Sequence, residues 1–222
     1  MKKLVVTIDG PAASGKSTTA RTVARRLGYN YLDTGAMYRA MGFKAIKAGV
    51  DVADEAGMAE LARNTSIDVE TLASGTRIIL DGVDVTDDLR SPEVSAAASA
   101  VAALGPVRER MVEIQREIGA GGGIVAEGRD IGSVVFPEAE VKIYLDADLR
   151  TRAVRRKKEL NGKGTRVELA RVERDIRSRD KTDTNRQHSP LVIPEGAAVV
   201  NTTYLTIEEQ IEEVLREVRA RM

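Results

Sequence analysis

The chain has 222 residues, 42% hydrophobic and 3% aromatic, enough apolar content for one large domain with insertions or two small ones. Basic residues number 34 and acidic residues 34, a balance that with the scarce aromatics argues against a general nucleic-acid binder, and the lack of cysteine excludes disulfides and thiolate metal sites. No apolar stretch reaches membrane-spanning length and the N-terminal apolar run is too short for a signal peptide, so a soluble, cytoplasmic protein is expected.

Residues 4–8, rich in β-branched side chains, read as a buried strand, and a helix follows over 17–27 with Val23, Ala24 and Leu27 on one face. Between them Gly10-Pro11-Ala12-Ala13-Ser14-Gly15-Lys16-Ser17 fits G-x-x-x-x-G-K-[ST], a loop whose backbone N–H groups encircle the phosphates of a nucleoside triphosphate. Lys16 then lies near the β- and γ-phosphates and the Ser17 hydroxyl is placed to ligate Mg²⁺. Strand, loop and helix stand in the order this motif requires, so the chain is expected to bind a nucleoside triphosphate.

A second strand over 29–32 leads into Asp33-Thr34-Gly35-Ala36-Met37-Tyr38-Arg39 and a helix over 37–48. Short strands over 67–71, 76–80 and 83–85, with turn signals at Ser74-Gly75 and Asp81-Gly82, predict a small antiparallel meander. Helical pattern returns over 91–118, with Pro106 starting a new helix. The third and fourth core strands are expected over 123–126 and 141–145, the fifth over 197–200. The last helix opens on a capping box from Thr206 to Glu209 and carries Ile207, Ile211, Val214, Leu215 and Val218 on one face. Five apolar strands separated by helices predict a three-layer α/β fold with a five-stranded parallel sheet and the meander inserted into it.

Ligands of open α/β sheets bind beyond the carboxyl ends of the strands, which directs attention to the segments following them. Glu127, after the third strand, is placed either to assist Mg²⁺ through water or to hydrogen-bond the phosphate loop. Arg129, beside Gly128, suits bidentate capture of a phosphate. From Arg150 to Arg166 the basic residues Arg150, Arg152, Arg155, Arg156, Lys157, Lys158, Lys163 and Arg166 face one acid, Glu159, around an Asn161-Gly162-Lys163-Gly164 turn. This is either a solvated helix face or a lid closing over phosphates. The cluster from Arg177 to Arg186 reads as a charged helix end, and His188 as a surface residue. No N-K-x-D-like segment for guanine is present, so a second, phosphate-bearing substrate is favoured over a GTPase switch.

The segments IDGPAASGKST, LDTGAMYRA, EVSAAASAVAALGPVRE, EGRDIGSVVFPEAEVKIYLDA and RDKTDTNRQHSPL together resemble the bacterial cytidylate kinases, of the nucleoside-monophosphate kinase family. The resemblance implies transfer of a phosphoryl group from ATP with Mg²⁺ to CMP or dCMP, by a monomer without nucleic-acid or membrane partners. ATP would contact Gly10, Pro11, Ala12, Ala13, Ser14, Gly15, Lys16, Ser17 and Thr18. Ser99, Arg108 and Asp130 would read the cytosine edge, Arg179 and Asp183 the ribose hydroxyls, and Arg39, Arg129 and Arg186 the acceptor phosphate, with Thr34 keeping a hydroxyl where relatives carry serine. Catalysis would fall to Lys16, Arg39, Arg129 and Arg186, assisted by lid arginines Arg152, Arg155 and Arg156. The implied organisation is a core of residues 1–36, 109–149 and 167–222, a monophosphate-binding domain over 37–108 with its antiparallel insertion at about 63–92, and a lid over 150–166. A kinase of another acceptor (UMP, AMP or a small metabolite) and a nucleic-acid-binding module using the basic segment are the competing readings.

Overall fold

The computed structural model describes residues 3–72, 75–162 and 164–222; the turn residue Ser74 and the basic Lys163 lie outside the described residues. In chain order the strands are β1 (Val5–Asp9), β2 (Asn30–Asp33), β3 (Ile67–Leu72), β4 (Gly75–Leu80), β5 (Val83–Asp84), β6 (Ile124–Gly128), β7 (Val141–Asp146) and β8 (Ala198–Asn201). The helices are α1 (Lys16–Leu27), α2 (Thr34–Ala48), α3 (Glu55–Arg63), α4 (Pro92–Val101), α5 (Gly105–Gly119), α6 (Leu149–Gly162), α7 (Leu169–Asn185) and α8 (Ile207–Arg219). One parallel sheet has the order β2-β6-β1-β7-β8, and β3-β4-β5 form a separate antiparallel sheet.

Alternation along the strands sorts side chains between two helical layers. Val6 and Ile8 of β1, Val125 of β6 and Val141, Ile143 and Leu145 of β7 pack against α1 and α8. Ile124 and Ala126 of β6 face the other way, into a larger core shared with α2, α4, α5 and the inserted sheet. The same parity puts Glu127 on the α1 side, while Asp9 shares the opposite face with Thr7.

All five core strands run past their apolar runs, ending at Asp9, Asp33, Gly128, Asp146 and Asn201 rather than at the last hydrophobic residue. Ladder hydrogen bonds need only backbone, so a polar side chain continues the strand wherever it finds a polar partner at the sheet edge. Helix α2 likewise starts at Thr34, ahead of the expected 37, because the Asp33 carboxylate accepts from Ala36 N at 2.9 Å and caps the helix there.

Helix α3 adds to the expected elements, and α7 runs through the segment read as a charged helix end. Asp54 caps α3 through Gly57 N (3.0 Å), and Met58 and Ala62, one turn apart, bury its inner face. The inserted sheet is fastened to the core at the free edge of β2, where Thr71 Oγ1 accepts from Tyr31 N at 3.0 Å.

Helix α8 has the expected capping box: the Glu209 carboxylate accepts from Thr206 N at 2.8 Å and the Thr206 hydroxyl accepts from Glu209 N. Ile211, Val214, Leu215 and Val218 are buried as expected, but Ile207, in the first turn, is 45% exposed. Thr206→Ala removes the cap from this packed helix and is expected to lower unfolding stability by about 1 kcal/mol. The urea midpoint should fall with an unchanged m-value and near-normal turnover; an unshifted midpoint would show that the cap contributes nothing.

Candidate active site

The loop from Gly10 to Gly15 joins the end of β1 to the start of α1, and its shape depends on Gly10. At φ +147° a Cβ on Gly10 would lie 2.1 Å from the carbonyl oxygen of Leu145 on the neighbouring strand. Ala13 also has positive φ, at 61°. Lys16 is buried, and its Nζ donates to the carbonyl of Pro11 (2.6 Å) and to Ser14 Oγ (3.3 Å). Burial, then the charge of Arg129 nearby, pulls the Lys16 ammonium well below the ordinary lysine range, against the favourable influence of Glu127. An anion laid in the loop reverses that penalty.

Glu127 emerges from β6 on the α1 side, where its carboxylate accepts a hydrogen bond from Tyr31 Oη (2.7 Å) and feels the nearby Ser17 hydroxyl. Burial and then neighbouring Asp33 raise its pKa above the usual carboxylate range. Its electrostatic neighbours thus include Lys16 and Ser17 at the start of α1. Thr34 is buried and donates to the Glu127 carbonyl at 2.7 Å, so its hydroxyl ties α2 to β6.

Across the cleft stand the arginines. Arg129 donates from Nε to Asp183 at 2.7 Å, and Arg39 from Nη2 to Asp33 at 3.0 Å. Arg179 projects from α7 into solvent, yet desolvation by the surrounding protein and then Arg129's charge pull its pKa down to about 10. Arg156 and Arg39 add further like-charge repulsion to Arg179. Lys16 in turn feels both Arg129 and Arg179. Cations from four elements thus converge on the carboxyl ends of β1, β2 and β6.

Beside them lies a buried cluster of Arg108, Asp130, Arg186 and Tyr38. Asp130 accepts a short hydrogen bond from Arg108 and lies 3.5 Å from Arg186 Nη2, while Arg108 also donates to the Ala102 carbonyl at 3.0 Å and covers the Tyr38 ring at 5.4 Å. Burial, then Arg108's charge, lowers the Arg186 pKa. Two guanidinium groups against one carboxylate leave Arg108 Nε, Arg186 Nη2 and Tyr38 Oη buried with no hydrogen-bond partner. Such a cluster suits a polar ligand that supplies acceptors. Ser99 is exposed on α4 and donates back to the Ser95 carbonyl at 3.3 Å.

The three lid arginines part company. Arg152 is buried, donating to the carbonyls of Ala147 (2.9 Å) and Ala12 (3.1 Å) and to Asp180 (2.6 Å). Arg155 grips Thr202 after β8, through Oγ1 (2.9 Å) and the carbonyl (2.6 Å). Arg156 is half-buried and paired with Glu159 at 2.7 Å. The basic stretch is therefore neither wholly a solvated face nor wholly a mobile arm: Arg152 and Arg155 tie α6 to the core. His188 is exposed, as expected.

Several residues that hold the site carried no distinct sequence signal. Asp180 bridges α7 to the phosphate loop through Arg152 and Ala12 N (3.4 Å). Gln210, buried on α8, donates to Thr19 beneath the loop, and the Thr202 hydroxyl reaches the Ser14 carbonyl at 3.3 Å. An Asp inside a charged helix or a Gln on an amphipathic one has no spacing that marks it; only the fold brings them there.

Among the described residues no helix is long and apolar enough to cross a membrane. The family profile for cytidylate kinase matches residues 6–220. A cytidylate kinase of Pelotomaculum thermopropionicum is 47% identical over 216 residues, covering 97% of this chain and 96% of the relative. That of Symbiobacterium thermophilum is 46% identical over 220 residues, covering 98% and 97%. Among solved structures, an uncharacterized protein from Eubacterium ventriosum matches with a TM-score of 0.54 at 10% identity, covering 99% of this chain and 100% of that one, a likeness of fold alone. With motifs, sheet order and whole-length identity in agreement, the chain belongs to the cytidylate kinase family.

Proposed function

We propose that this protein transfers the terminal phosphoryl group of ATP to CMP and dCMP, releasing ADP and CDP or dCDP. The observation that carries this reading is the meeting of two sites at one sheet edge. The phosphate loop with Lys16 lies on one side, the buried Arg108–Asp130–Arg186 cluster on the other, and Arg129, Arg179 and Arg39 lie between them. A triphosphate and a monophosphate brought together carry large like charge, and a cleft of convergent cations is the means of overcoming that repulsion. Relatives at 46–47% identity that bear the name cytidylate kinase supply the identity of the acceptor.

The chemistry needs no general base. A phosphate monoester has a second pKa of about 6, so the acceptor is largely dianionic at neutral pH and its oxygen is already nucleophilic. That oxygen forms a bond to the γ-phosphorus as the bond to the β,γ-bridging oxygen breaks, and ADP leaves with the electron pair. Lys16 stabilises charge on the migrating group, while Arg129, Arg39 and Arg186 hold and aim the acceptor. Arg179 with Asp183 would take the ribose. Asp130 and Arg108 would face the cytosine edge, whose N4 amino group needs an acceptor and whose O2 and N3 need a donor.

The donors present fit Mg²⁺: the Ser17 hydroxyl and the Glu127 carboxylate are hard oxygens held together on rigid elements. Among the described residues no group of three His, Asp or Glu side chains forms a cage, which suits an ion held mainly by water and phosphate. When bound, Mg²⁺ would neutralise charge on the β- and γ-phosphates.

The decisive experiment supplies ATP and Mg²⁺ with CMP, dCMP, UMP or AMP in turn and follows ADP release. CMP and dCMP should be strongly preferred; equal turnover of UMP or AMP would overturn the assignment. Lys16→Ala should lower kcat about 10³-fold with little change in KM for CMP, and near-normal turnover would remove Lys16 from the phosphoryl path. Asp130→Asn keeps the shape of the buried cluster but loses the charge and one acceptor oxygen. It should reduce the CMP-over-UMP preference at least tenfold, measured as a ratio of kcat/KM; an unchanged ratio would take Asp130 off the base edge.

A further inference from the structure

Asp9 is the last residue of β1 and the one before the phosphate loop, yet its side chain serves the opposite half of the site. It is fully buried, on the same strand face as Thr7. Its two carboxylate oxygens accept from Ile131 N and Gly132 N, each at 2.7 Å. Those amides open a single π-helical turn, Ile131–Val135, which begins directly after Asp130.

The backbone of Asp9 holds the near end of the same segment. In the β1–β6 ladder Asp9 is paired with Gly128, the last residue of β6. The chain then leaves the sheet for two residues, Arg129 and Asp130, and is caught again at Ile131 and Gly132 by the Asp9 carboxylate. One residue therefore fixes Arg129 and Asp130 from both sides.

The fit leaves no slack. A Cβ on Gly132 would lie 2.7 Å from Thr7 Oγ1 and 3.2 Å from the Asp9 carboxylate, so only glycine lets that amide approach so closely. A glutamate at position 9 would have to house an extra methylene in a fully buried place. An asparagine has one acceptor oxygen and would turn its own N–H₂ toward the second amide. Burial pushes the Asp9 carboxyl up to about 6 against the pull of the two amide hydrogen bonds.

We infer that Asp9 is a positioning residue for the acceptor nucleotide: through Ile131 N and Gly132 N it sets where Arg129 and Asp130 meet the monophosphate. The inference rests on the acceptor role proposed above for Arg129 and Asp130. It separates two functions in adjacent residues, since Gly10 begins the triphosphate loop while the Asp9 side chain acts on the monophosphate side.

Binding of CMP and of ATP measured separately by calorimetry tests it, on folded Asp9→Asn, Gly132→Ala and Arg129→Ala proteins. Asp9→Asn and Gly132→Ala should each weaken CMP binding about tenfold, while ATP binding stays within about twofold. A residue that merely supports the fold would lower the melting temperature and leave the dissociation constant for CMP unchanged in the folded protein; that result overturns the inference. Weakening of ATP rather than CMP overturns it too, placing Asp9 with the triphosphate loop. If Arg129→Ala weakens CMP binding and Asp9→Asn does not, the acceptor role of Arg129 stands and the inference fails alone. If Arg129→Ala leaves CMP binding unchanged, both fall.

Discussion

The site depends on holding several positive charges close together in a folded protein that must remain stable. Lys16, Arg129, Arg179 and Arg39 repel one another at the carboxyl edge of the sheet, and the first of these is buried as well. The arrangement survives because carboxylates are interleaved with the cations. Asp183 accepts from Arg129, Asp33 from Arg39, Asp180 from Arg152, and Asp130 from Arg108. Removing one such partner would strand a charge at a cost of about 3–5 kcal/mol where both groups are buried, as at Asp130. The acids thus belong to the cleft as much as the cations do, although a phosphate bound there, as proposed, would repel them.

A parallel sheet supplies this interleaving at small structural expense. Each strand ends at the same edge, so a polar residue placed one position past an apolar run lands in the cleft without interrupting the core. Period-two alternation then chooses the side. On β6, Val125 packs on α1 and Glu127 follows it on that face, beside Ser17. On β1, Thr7 and Asp9 take the face opposite Val6 and Ile8, toward the π-helical turn. Neighbouring strands therefore send acids of similar chemistry to opposite halves of the site. The right-handed crossovers demanded by a parallel sheet bring helix N-termini, including that of α1 with its phosphate loop, to the same edge.

Much of this was legible in the sequence because it rests on local patterns. The phosphate loop has fixed spacing, the capping box of α8 has a fixed offset, and the core strands are apolar runs of ordinary strand length. The misplaced strand ends share one cause: those at Asp9, Asp33 and Asn201 are decided by ladder pairing with a distant strand, not by hydrophobicity. What remained illegible is nonlocal. Arg152 reads like its neighbours Arg155 and Arg156 in a basic run, and only its contacts with Ala12 and Asp180 single it out. Asp180 lies in a segment singled out by resemblance, but its tie to the phosphate loop spans 168 positions of chain. Ser99 shows the converse: the resemblance gives it a role that its exposed place on α4 and its bond to Ser95 do not by themselves suggest.

The chemical form of the ion pairs also bears on how the site can work at speed. A guanidinium bound to a carboxylate and one bound to a phosphate have nearly the same planar, two-oxygen geometry. Arg129 and Arg39 lie only partly exposed, each held to its acid through one nitrogen, so in the acceptor role proposed above a phosphate would meet a guanidinium already oriented. Binding then exchanges one anionic partner for another instead of ordering a free side chain, which avoids much of the rotamer entropy that a loose arginine would lose. Lysines could neutralise the same phosphates, but a point charge on a flexible stem would be less firmly oriented by a carboxylate partner. The pairing of arginine with aspartate is therefore both what lets the fold tolerate its charge and what would keep the cleft arranged for the proposed phosphate.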